Sequence, residues 1–362
     1  MSDPHLTRRE LIRLLGTGAA AAMASPFIDL DGAEAGQAVA GPSIPRGAII
    51  RTVLKDVAPR SVGTVLFHEH LSINIPPVTP PPPGAPPPVT DNVDQILDMV
   101  KRAGREGVGC IVDGGHPDMG RDMAALRRIA REGGVHVVAS GGFYMDRTYP
   151  AAITTKSESE IVADLVYEAK QNRYGSFGEI GQMPNMADMT PSERKVFRAV
   201  GRAHVQTGLP IFTHNAYGTG SNVKPDAGLR QLDVLESVGV DPRHVVIGHS
   251  CCLDDPNAGV FKQIARRGAF VGFDRVTTVQ RIMPDEKKVR MVLAFLEAGL
   301  ADHLLLAADH TGQRTMDEGP GYGRTVTVFL PQLRRAGVKD DVLTGIMTRN
   351  AQRFMAFVPP RA

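Results

Sequence analysis

Histidines and carboxylates occur where apolar, strand-like runs of this sequence end. The first of these runs closes with Phe67-His68-Glu69-His70. Side chains two residues apart on a strand point to the same face, so His68 and His70 are predicted to project together. Imidazole is the commonest protein ligand for zinc-like ions, and the pair could therefore bind one ion. A single His-x-His pair also has many structural explanations, so it predicts little alone.

Four later strand-like runs end in the same way. Each places one potential metal ligand at its C-terminal end: Glu179, His214, His249 and Asp309. A polar residue can simply mark the point where a strand becomes a loop, but that explanation is weak for five strands. Four histidines and two carboxylates suit two metal ions that share one carboxylate, and they suit two-metal hydrolysis.

Short apolar runs that alternate with amphipathic segments predict the elements that carry these residues. The runs are 63–67, 109–113, 136–139, 176–180, 210–213, 244–248, 269–273 and 303–308. The helical segments are 92–106, 120–132, 157–171, 191–207, 228–238, 257–267, 284–299 and 323–336. Strands that alternate with helices imply a parallel sheet, and eight such units predict an α/β fold of the (β/α)8 TIM-barrel type over residues 47–358. The competitor is an open doubly wound sheet, but no glycine-rich dinucleotide fingerprint follows the first strand.

The candidate ligands fall at the C-terminal ends of these strands, where the active sites of such barrels lie. Composition is compatible with one large soluble domain, because hydrophobic residues make up 42% and charged residues 22% of 362 residues. A net charge of +2, with no long basic run, gives no indication of a nucleic-acid partner. Cys110, Cys251 and Cys252 fit neither a zinc knuckle nor a disulfide framework and are predicted to be buried or semi-buried free thiols.

The first 24 residues are predicted to be a twin-arginine signal peptide. Arg8-Arg9 precede the apolar, small-residue run 14–24, and Ala22-Met23-Ala24 provides a small-x-small cleavage site. The alternative is a short N-terminal helix that carries two arginines. The run is too short to span a membrane, which takes roughly 20 apolar residues. We therefore expect a periplasmic or secreted protein that the twin-arginine machinery exports folded, with residues 25–46 as a flexible tether.

A proline-rich segment, residues 76–88, interrupts the alternation directly after the first strand. Such a run donates few backbone hydrogen bonds and favours an extended polyproline conformation. It is predicted either to be a surface loop without a role or to form a stiff wall or docking rim beside the site.

The motifs together resemble the phosphotriesterase family of the amidohydrolase superfamily. The resemblance spans roughly residues 47–357 and rests on an ordered, spaced set of segments: Gly63-Thr64-Val65-Leu66-Phe67-His68-Glu69-His70, Phe212-Thr213-His214, Val246-Ile247-Gly248-His249-Ser250, Asp309 and Thr348-Arg349-Asn350-Ala351. It implies a metal-bridged hydroxide that attacks an ester-type bond. It also implies two divalent ions, zinc by default, with manganese, cobalt or iron as alternatives. A homodimer follows by analogy alone.

The resemblance assigns the ligands to two half-sites. His68, His70 and Asp309 would hold the buried ion, and His214 and His249 the more exposed one. The best-known members bridge the ions with a carboxylated lysine on the fourth strand. No lysine occurs here between Lys170 and Lys195, and other members use glutamate, so Glu179 is the expected bridge. The alternative is a loop carboxylate paired with an arginine.

Two further segments bear on substrate. Asp274-Arg275 ends the seventh strand, and Tyr144 follows the third; both resemble the lactonase-like branch of the family. Organophosphate-degrading members carry histidine where Arg275 stands. The resemblance favours a small-molecule lactone or carboxylic ester, with phosphotriester hydrolysis as a side activity. Tyr144 would contact the bridging water or a leaving group, or would be a packed aromatic. Arg275 and Asp274 could instead simply pair with each other.

Asp309 is expected to accept the proton as the hydroxide attacks. The alternatives are a dedicated phosphotriesterase (an organophosphate hydrolase) and a non-catalytic periplasmic barrel that binds metal or solute. A serine triad is disfavoured, because no Gly-x-Ser-x-Gly elbow follows a strand. Four other histidines lie in loops, helices or strand starts and are not expected to be ligands: His116, His204, His244 and His303.

Overall fold

The protein is described by a computed structural model that covers residues 43–75, 90, 92–312 and 321–360. The predicted signal peptide, most of the predicted tether and the proline-rich segment 76–88 lie outside these residues. Among the described residues, no helix is both long and apolar enough to cross a membrane.

Eight parallel strands form one sheet in sequence order. They are β1 (Thr64–Glu69), β2 (Val108–Asp113), β3 (His136–Gly141), β4 (Ser176–Gly181), β5 (Ile211–His214), β6 (Val245–Ile247), β7 (Phe270–Phe273) and β8 (Leu304–Leu306). Two backbone hydrogen bonds join the last strand end to the first: Asp309 N–H donates to the His68 carbonyl at 3.2 Å, and His70 N–H to the His310 carbonyl at 3.0 Å. The sheet thereby closes into the predicted (β/α)8 barrel.

Helices connect the strands on the outside of the sheet, and three further helices follow the last strand. They are α1 (Val93–Arg105), α2 (Met123–Glu132), α3 (Ala152–Thr155), α4 (Glu158–Asn172), α5 (Pro191–Thr207), α6 (Ala227–Glu236), α7 (Gly259–Arg266), α8 (Asp285–Leu296), α9 (Leu330–Arg335), α10 (Asp340–Gly345) and α11 (Ala351–Met355). Side-chain caps begin several of them, including Ser157 before α4 and Thr190 before α5, each in a capping box.

The eighth predicted helix, 323–336, differs in form from the prediction. It begins with a π-helical turn, Thr325–Phe329, and continues as α9. The Leu330 N–H reaches back to the Thr325 carbonyl, and Pro331 follows it. Proline has no N–H to donate, so an unbroken α-helical ladder cannot run through this segment.

Two apolar clusters hold the barrel together. The larger one lies between the strands and the helices, and it includes Leu66 of β1 and Ile111 of β2. The smaller one fills the barrel interior, where Phe67 packs against Phe212 and Phe354 with ring centroids 6.1 and 6.4 Å apart. Phe354 belongs to α11, so the C-terminal helix closes one end of the interior. The other end, at the C-terminal ends of the strands, carries the polar residues.

Two short antiparallel strands, Ile50–Arg51 and Asp56–Val57, precede the barrel and were not predicted. Ile49 also pairs with Phe357 near the C-terminus. The segment is too short for periodicity to reveal it, and its place depends on the partner strand.

Candidate metal centre

The strand ends bring all six predicted ligands into one buried cluster. Two groups consist of these residues alone, and within each the donor atoms lie no more than 4.8 Å apart; a third group joins His68 and His249 to Asp274. The first group contains His68, His70, Glu179 and Asp309, and the second contains Glu179, His214 and His249. Glu179 belongs to both groups. The arrangement matches the predicted pair of half-sites joined by one carboxylate; that these residues bind metal stays a prediction.

In the first half-site, His70 has the closest contacts. Its Nε2 lies 3.1 Å from Glu179 Oε2 and 3.1 Å from Asp309 Oδ1. The Nε2 atom of His68 lies 3.7 Å from Glu179 Oε1 and 3.8 Å from Asp309 Oδ1. Two imidazole nitrogens and two carboxylate oxygens thus converge on one point, which is a donor set that divalent zinc-like ions prefer.

In the second half-site, two imidazoles converge on the other side of the shared carboxylate. His214 Nδ1 lies 3.2 Å from Glu179 Oε1, and His249 Nε2 lies 2.8 Å from His214 Nδ1. His249 Nε2 is also 3.9 Å from Glu179 Oε1. This group has three donors, so an ion here would keep positions open for water or substrate.

Two observations show that the donor set fits divalent cations. Among the described residues, His68 Nε2 and Glu179 Oε2 are buried and make no hydrogen bond, although His70 Nε2 lies 3.1 Å from Glu179 Oε2. Buried polar atoms normally have partners, and unsatisfied ones cost free energy. Both atoms face the shared centre, where a cation would satisfy them.

The charges around the two half-sites differ. Burial opposes the charged form of His68, but the neighbouring carboxylates of Asp274, Glu179 and Asp309 outweigh it and raise its pKa to about 10. Burial and the neighbouring His249 instead lower the pKa of His214 to about 4. The first half-site thus has a strongly negative environment, in which positive charge is favourable.

Three of the six residues have left-handed backbone conformations. The φ angles are +47° at Glu179, +51° at His249 and +49° at Asp309. Residues other than glycine rarely adopt this region, and such strain clusters at functional sites. In β4 the pairing register shifts between Phe177 and Ile180, so Glu179 leaves the regular ladder there.

Asp274, at the end of β7, holds two of the histidines. Its Oδ2 lies 2.9 Å from His68 Nδ1, and its Oδ1 lies 3.0 Å from His249 Nδ1. A carboxylate that accepts from Nδ1 fixes the tautomer with a free Nε2, the atom that faces the ligand cluster in both histidines. The prediction that Asp274 pairs with Arg275 was wrong: the Nε of Arg275 donates to Asp309 Oδ2 at 2.7 Å.

Glu69 was not assigned a role from the sequence. Its carboxylate is buried and accepts the backbone N–H groups of Ala308 at 2.9 Å and His310 at 2.7 Å. These residues flank Asp309, so Glu69 fixes the backbone that presents it. Burial raises the pKa of Glu69 to about 8. Its position between two predicted ligands was the only signal in the sequence.

A cavity of about 270 Å³ opens beside the cluster. His70, Glu179 and Asp309 form its base, with Tyr144 and Arg275 in its wall. The remaining described lining is mainly apolar: Ile73, Ile75, Met119, Thr278, Val279 and Thr311. The Tyr144 ring meets His214 edge-on at a centroid distance of 4.9 Å, so it is both packed and at the cavity wall.

Arg275 also sets the charge of Asp309. Burial by itself would raise the pKa of Asp309, but the Arg275 guanidinium and the nearby histidines hold it below its ordinary value. The four histidines that were not expected to be ligands lie outside both groups. All three cysteines are buried and free, as predicted.

An eight-stranded parallel barrel with paired histidine–carboxylate groups at its strand ends defines a (β/α)8 protein with a candidate two-metal centre. Residues 48–355 match the profile of the phosphotriesterase family, and the chain belongs to this family. Its members are metal-dependent hydrolases.

Three relatives show how far the similarity extends. The phosphotriesterase homology protein of Escherichia coli is 32% identical over 81% of this chain and 97% of its own length. Its crystal structure with phosphate in the active site superposes with a TM-score of 0.72, over 82% of this chain and 99% of that one. The aryldialkylphosphatase of Saccharolobus solfataricus is 29% identical over 82% of this chain and 96% of its own. The N-acetyltaurine hydrolase of Rattus norvegicus is 29% identical over 85% and 98%.

Proposed function

We propose that this protein is a binuclear-metal hydrolase of lactones or other carboxylic esters, with phosphotriester hydrolysis as a side activity. The observation that carries the proposal is the sharing of Glu179 between two histidine groups at the base of a cavity. In this proposal His68, His70 and Asp309 hold one ion, His214 and His249 hold the other, and Glu179 bridges them. When bound, the two cations supply a hydroxide near neutral pH and polarise the substrate oxygen.

The side chains around the cavity divide the remaining work. The Asp309 carboxylate lines the cavity, and its contact with Arg275 keeps it ionised. It is therefore placed to accept a proton. Arg275 and Tyr144 contact the substrate and orient its leaving group. The apolar wall formed by Ile73, Ile75 and Met119 excludes water and favours a substrate with a hydrocarbon portion.

The preference for lactones rests on Arg275 and Tyr144, two positions at which the sequence resembles the lactonase-like branch of the family. Two other substrate classes have support from particular relatives. The aryldialkylphosphatase favours a dedicated phosphotriesterase, and the N-acetyltaurine hydrolases favour an N-acyl amide. All of these substrates have an electrophilic centre bonded to an oxygen that two cations can polarise. A single hydrolysis screen can therefore compare the substrate classes directly.

The test is a hydrolysis screen of purified protein reconstituted with zinc, manganese, cobalt or iron. Its arms are lactones, aryl esters, phosphotriesters and N-acyl amides, with metal content measured in parallel. We expect two ions per chain and the highest kcat/KM on a lactone or carboxylic ester. Metal content near zero would remove the two-metal proposal, and two bound ions without turnover in any arm would support the non-catalytic binding barrel.

Glu179→Ala and Glu132→Ala form a matched pair for this screen. Glu132 is an exposed carboxylate at the end of α2, far from the cluster. We expect Glu179→Ala to lose an ion and most of the activity, and Glu132→Ala to behave as the wild type. Unchanged metal content in Glu179→Ala would remove the bridging assignment alone.

We also propose that residues 1–24 direct export through the twin-arginine route. The support is the order of Arg8-Arg9, apolar run and small-residue cleavage site. The test replaces both arginines by lysine and follows the protein in periplasmic and cytoplasmic fractions. The wild type should appear, shortened, in the periplasm, and the double variant should stay in the cytoplasm. Equal distribution of the two would overturn the proposal.

A further inference from the structure

His116 is fully buried in the loop after β2, yet its ring does not join the candidate metal groups. Its Nε2 instead contacts the backbone carbonyl oxygen of Gly178. Because a carbonyl only accepts, Nε2 must carry the proton in this contact. Gly178 immediately precedes Glu179, the residue shared by the two half-sites.

The Gly178 carbonyl lies at the irregular point of β4. On one side of β4, Phe177 pairs with Gly141 of β3, and on the other side Ile180 pairs with Thr213 of β5. Gly178 and Glu179 therefore fall outside the regular pairing. A buried backbone carbonyl that leaves a ladder needs another donor. His116 supplies it directly beside the left-handed Glu179.

Asp118 lies beside the other ring nitrogen of His116. Its Oδ1 lies 3.5 Å from His116 Nδ1 without a hydrogen bond between the two atoms, and its side chain is almost fully buried. Its Oδ2 accepts the backbone N–H of Tyr144 at 2.9 Å and the hydroxyl of Thr148 at 2.8 Å. One buried His–Asp pair therefore contacts both the backbone that carries Glu179 and the loop that carries Tyr144.

We infer that His116 is a positioning residue that sets the direction of the Glu179 carboxylate between the two half-sites. The inference rests on the proposed function, in which Glu179 bridges two ions. His116 acts only through the backbone of its neighbour: it neither belongs to a ligand group nor lines the cavity. Loss of its Nε2 donor leaves the Gly178 carbonyl unsatisfied and frees the strained residue beside it to relax.

The test compares two amide replacements that differ only in reach. The amide nitrogen of His116→Gln extends to the place of Nε2, whereas that of His116→Asn extends only to the place of Nδ1. His204→Gln is the control, because His204 is a buried histidine of α5 that donates to the Leu209 carbonyl, away from the site. Cobalt alone is the probe, and dissociation constants come from chelator competition with the visible absorption spectrum as a second readout.

We expect wild type, His116→Gln and His204→Gln to bind two cobalt ions with the same spectrum and constants within a few-fold. His116→Asn should bind the weaker ion about 10- to 100-fold less tightly, the range found when residues that orient metal ligands are changed, and should show an altered spectrum. Wild-type constants and spectrum in His116→Asn would overturn the inference, as would equal losses in both amide variants.

The result of this cobalt-binding test can be distinguished from the result of the hydrolysis screen that tests the proposed function. Two bound ions without hydrolysis would end the proposed activity, but the cobalt constants would still decide the role of His116. Fewer than two ions in the wild type would end both. If His116→Asn does not fold by circular dichroism, His116→Leu, which also lacks the donor, takes its place with the same expectation.

Discussion

The carboxylate of Asp274 lies between the rings of His68 and His249, and it decides which nitrogen each ring presents to the cluster. Both Nδ1 atoms bind Asp274, so both Nε2 atoms face Glu179. Burial opposes ionisation of Asp274, but His249 and His68 hold its pKa below the ordinary value. One ionised residue thereby orients a ligand candidate in each half-site.

We predict that Asp274→Asn lowers metal affinity about 10- to 100-fold, because an amide cannot accept from both Nδ1–H groups as a carboxylate does. The measurement is metal content and affinity by chelator competition. Asp233→Asn is the control, since Asp233 is an exposed residue of α6 that pairs with Arg267. Wild-type affinity in Asp274→Asn would contradict the assigned role.

A second prediction for a single residue concerns Glu69. In Glu69→Gln the amide nitrogen cannot accept, so one of the backbone N–H groups of Ala308 and His310 loses its acceptor. We expect a loss of about 1–3 kcal/mol in the free energy of unfolding, the cost of an unsatisfied buried donor. Urea unfolding of chelator-treated protein measures it, with exposed Glu132→Gln as control. Equal midpoints for the two variants would refute the prediction.

At the scale of the elements, irregular strand ends place the ligand candidates. Simple alternation along β1 predicts that His68 faces the same side as Leu66, which packs outward against the helices. The pairing of β1 with β2 shifts between Leu66 and Glu69, and the His68 ring instead meets Phe212 of the interior at 4.9 Å. A similar shift precedes Ile180 in β4. Such bulges re-aim side chains at barrel rims.

Glycines beside the ligand candidates provide the close approach of neighbouring strands. A Cβ on Gly248 would lie 2.0 Å from the Thr213 carbonyl oxygen, which is backbone and cannot rotate away. We predict that Gly248→Ala lowers the free energy of unfolding by about 3 kcal/mol, at the upper end of overpacking costs, because β5 and β6 must separate. Chemical unfolding monitored by circular dichroism measures the loss.

Gly259→Ala is the matched control for Gly248→Ala. Gly259 is exposed at the start of α7, and an added Cβ would have only Asp255 Oδ1, at 3.6 Å, within 4 Å. The change should be neutral or slightly stabilising, since alanine favours helices. Similar stabilities for the two variants would show that the close approach at Gly248 is unimportant.

At the scale of the whole molecule, one buried and two half-buried histidines outside the site link stability to pH. Burial lowers the pKa of His204, His244 and His303, which all lie near the sheet ends or in the helical layer. The folded protein therefore favours their neutral forms, whereas the unfolded chain protonates them near pH 6.5. Their contribution to stability is complete above that pH and is lost as the pH falls below it.

We predict that His204→Asn reduces this loss. The variant keeps a side-chain donor for the Leu209 carbonyl, which His204 Nδ1 contacts at 2.7 Å, but it cannot bind a proton. Between pH 7 and pH 5 the free energy of unfolding should therefore fall less steeply in the variant than in the wild type. Any bound metal that is lost at low pH is lost from both proteins, so this effect cancels in the comparison. Parallel curves would show that His204 does not contribute.

Local sequence patterns were sufficient for the fold and for the residues that gather at the candidate site. Strand and helix periodicity is a short-range property, so all eight strands were located, with bounds that differ by a few residues at most. The strand ends of a parallel barrel meet at one face. The sequence therefore predicted a shared centre from the residues at those ends: His68, His70, Glu179, His214, His249 and Asp309.

Only the tertiary structure decided how that centre is supported. Asp274 reaches His68 across 206 residues of chain, and Glu69 reaches the backbone around Asp309 across about 240. His116 reaches Gly178 across 62. No local pattern encodes these contacts, because barrel closure brings together strands that are distant in sequence, and bulges change which face a residue occupies. The sequence alone thus determined the set of donor atoms, and the closed barrel determined their orientation.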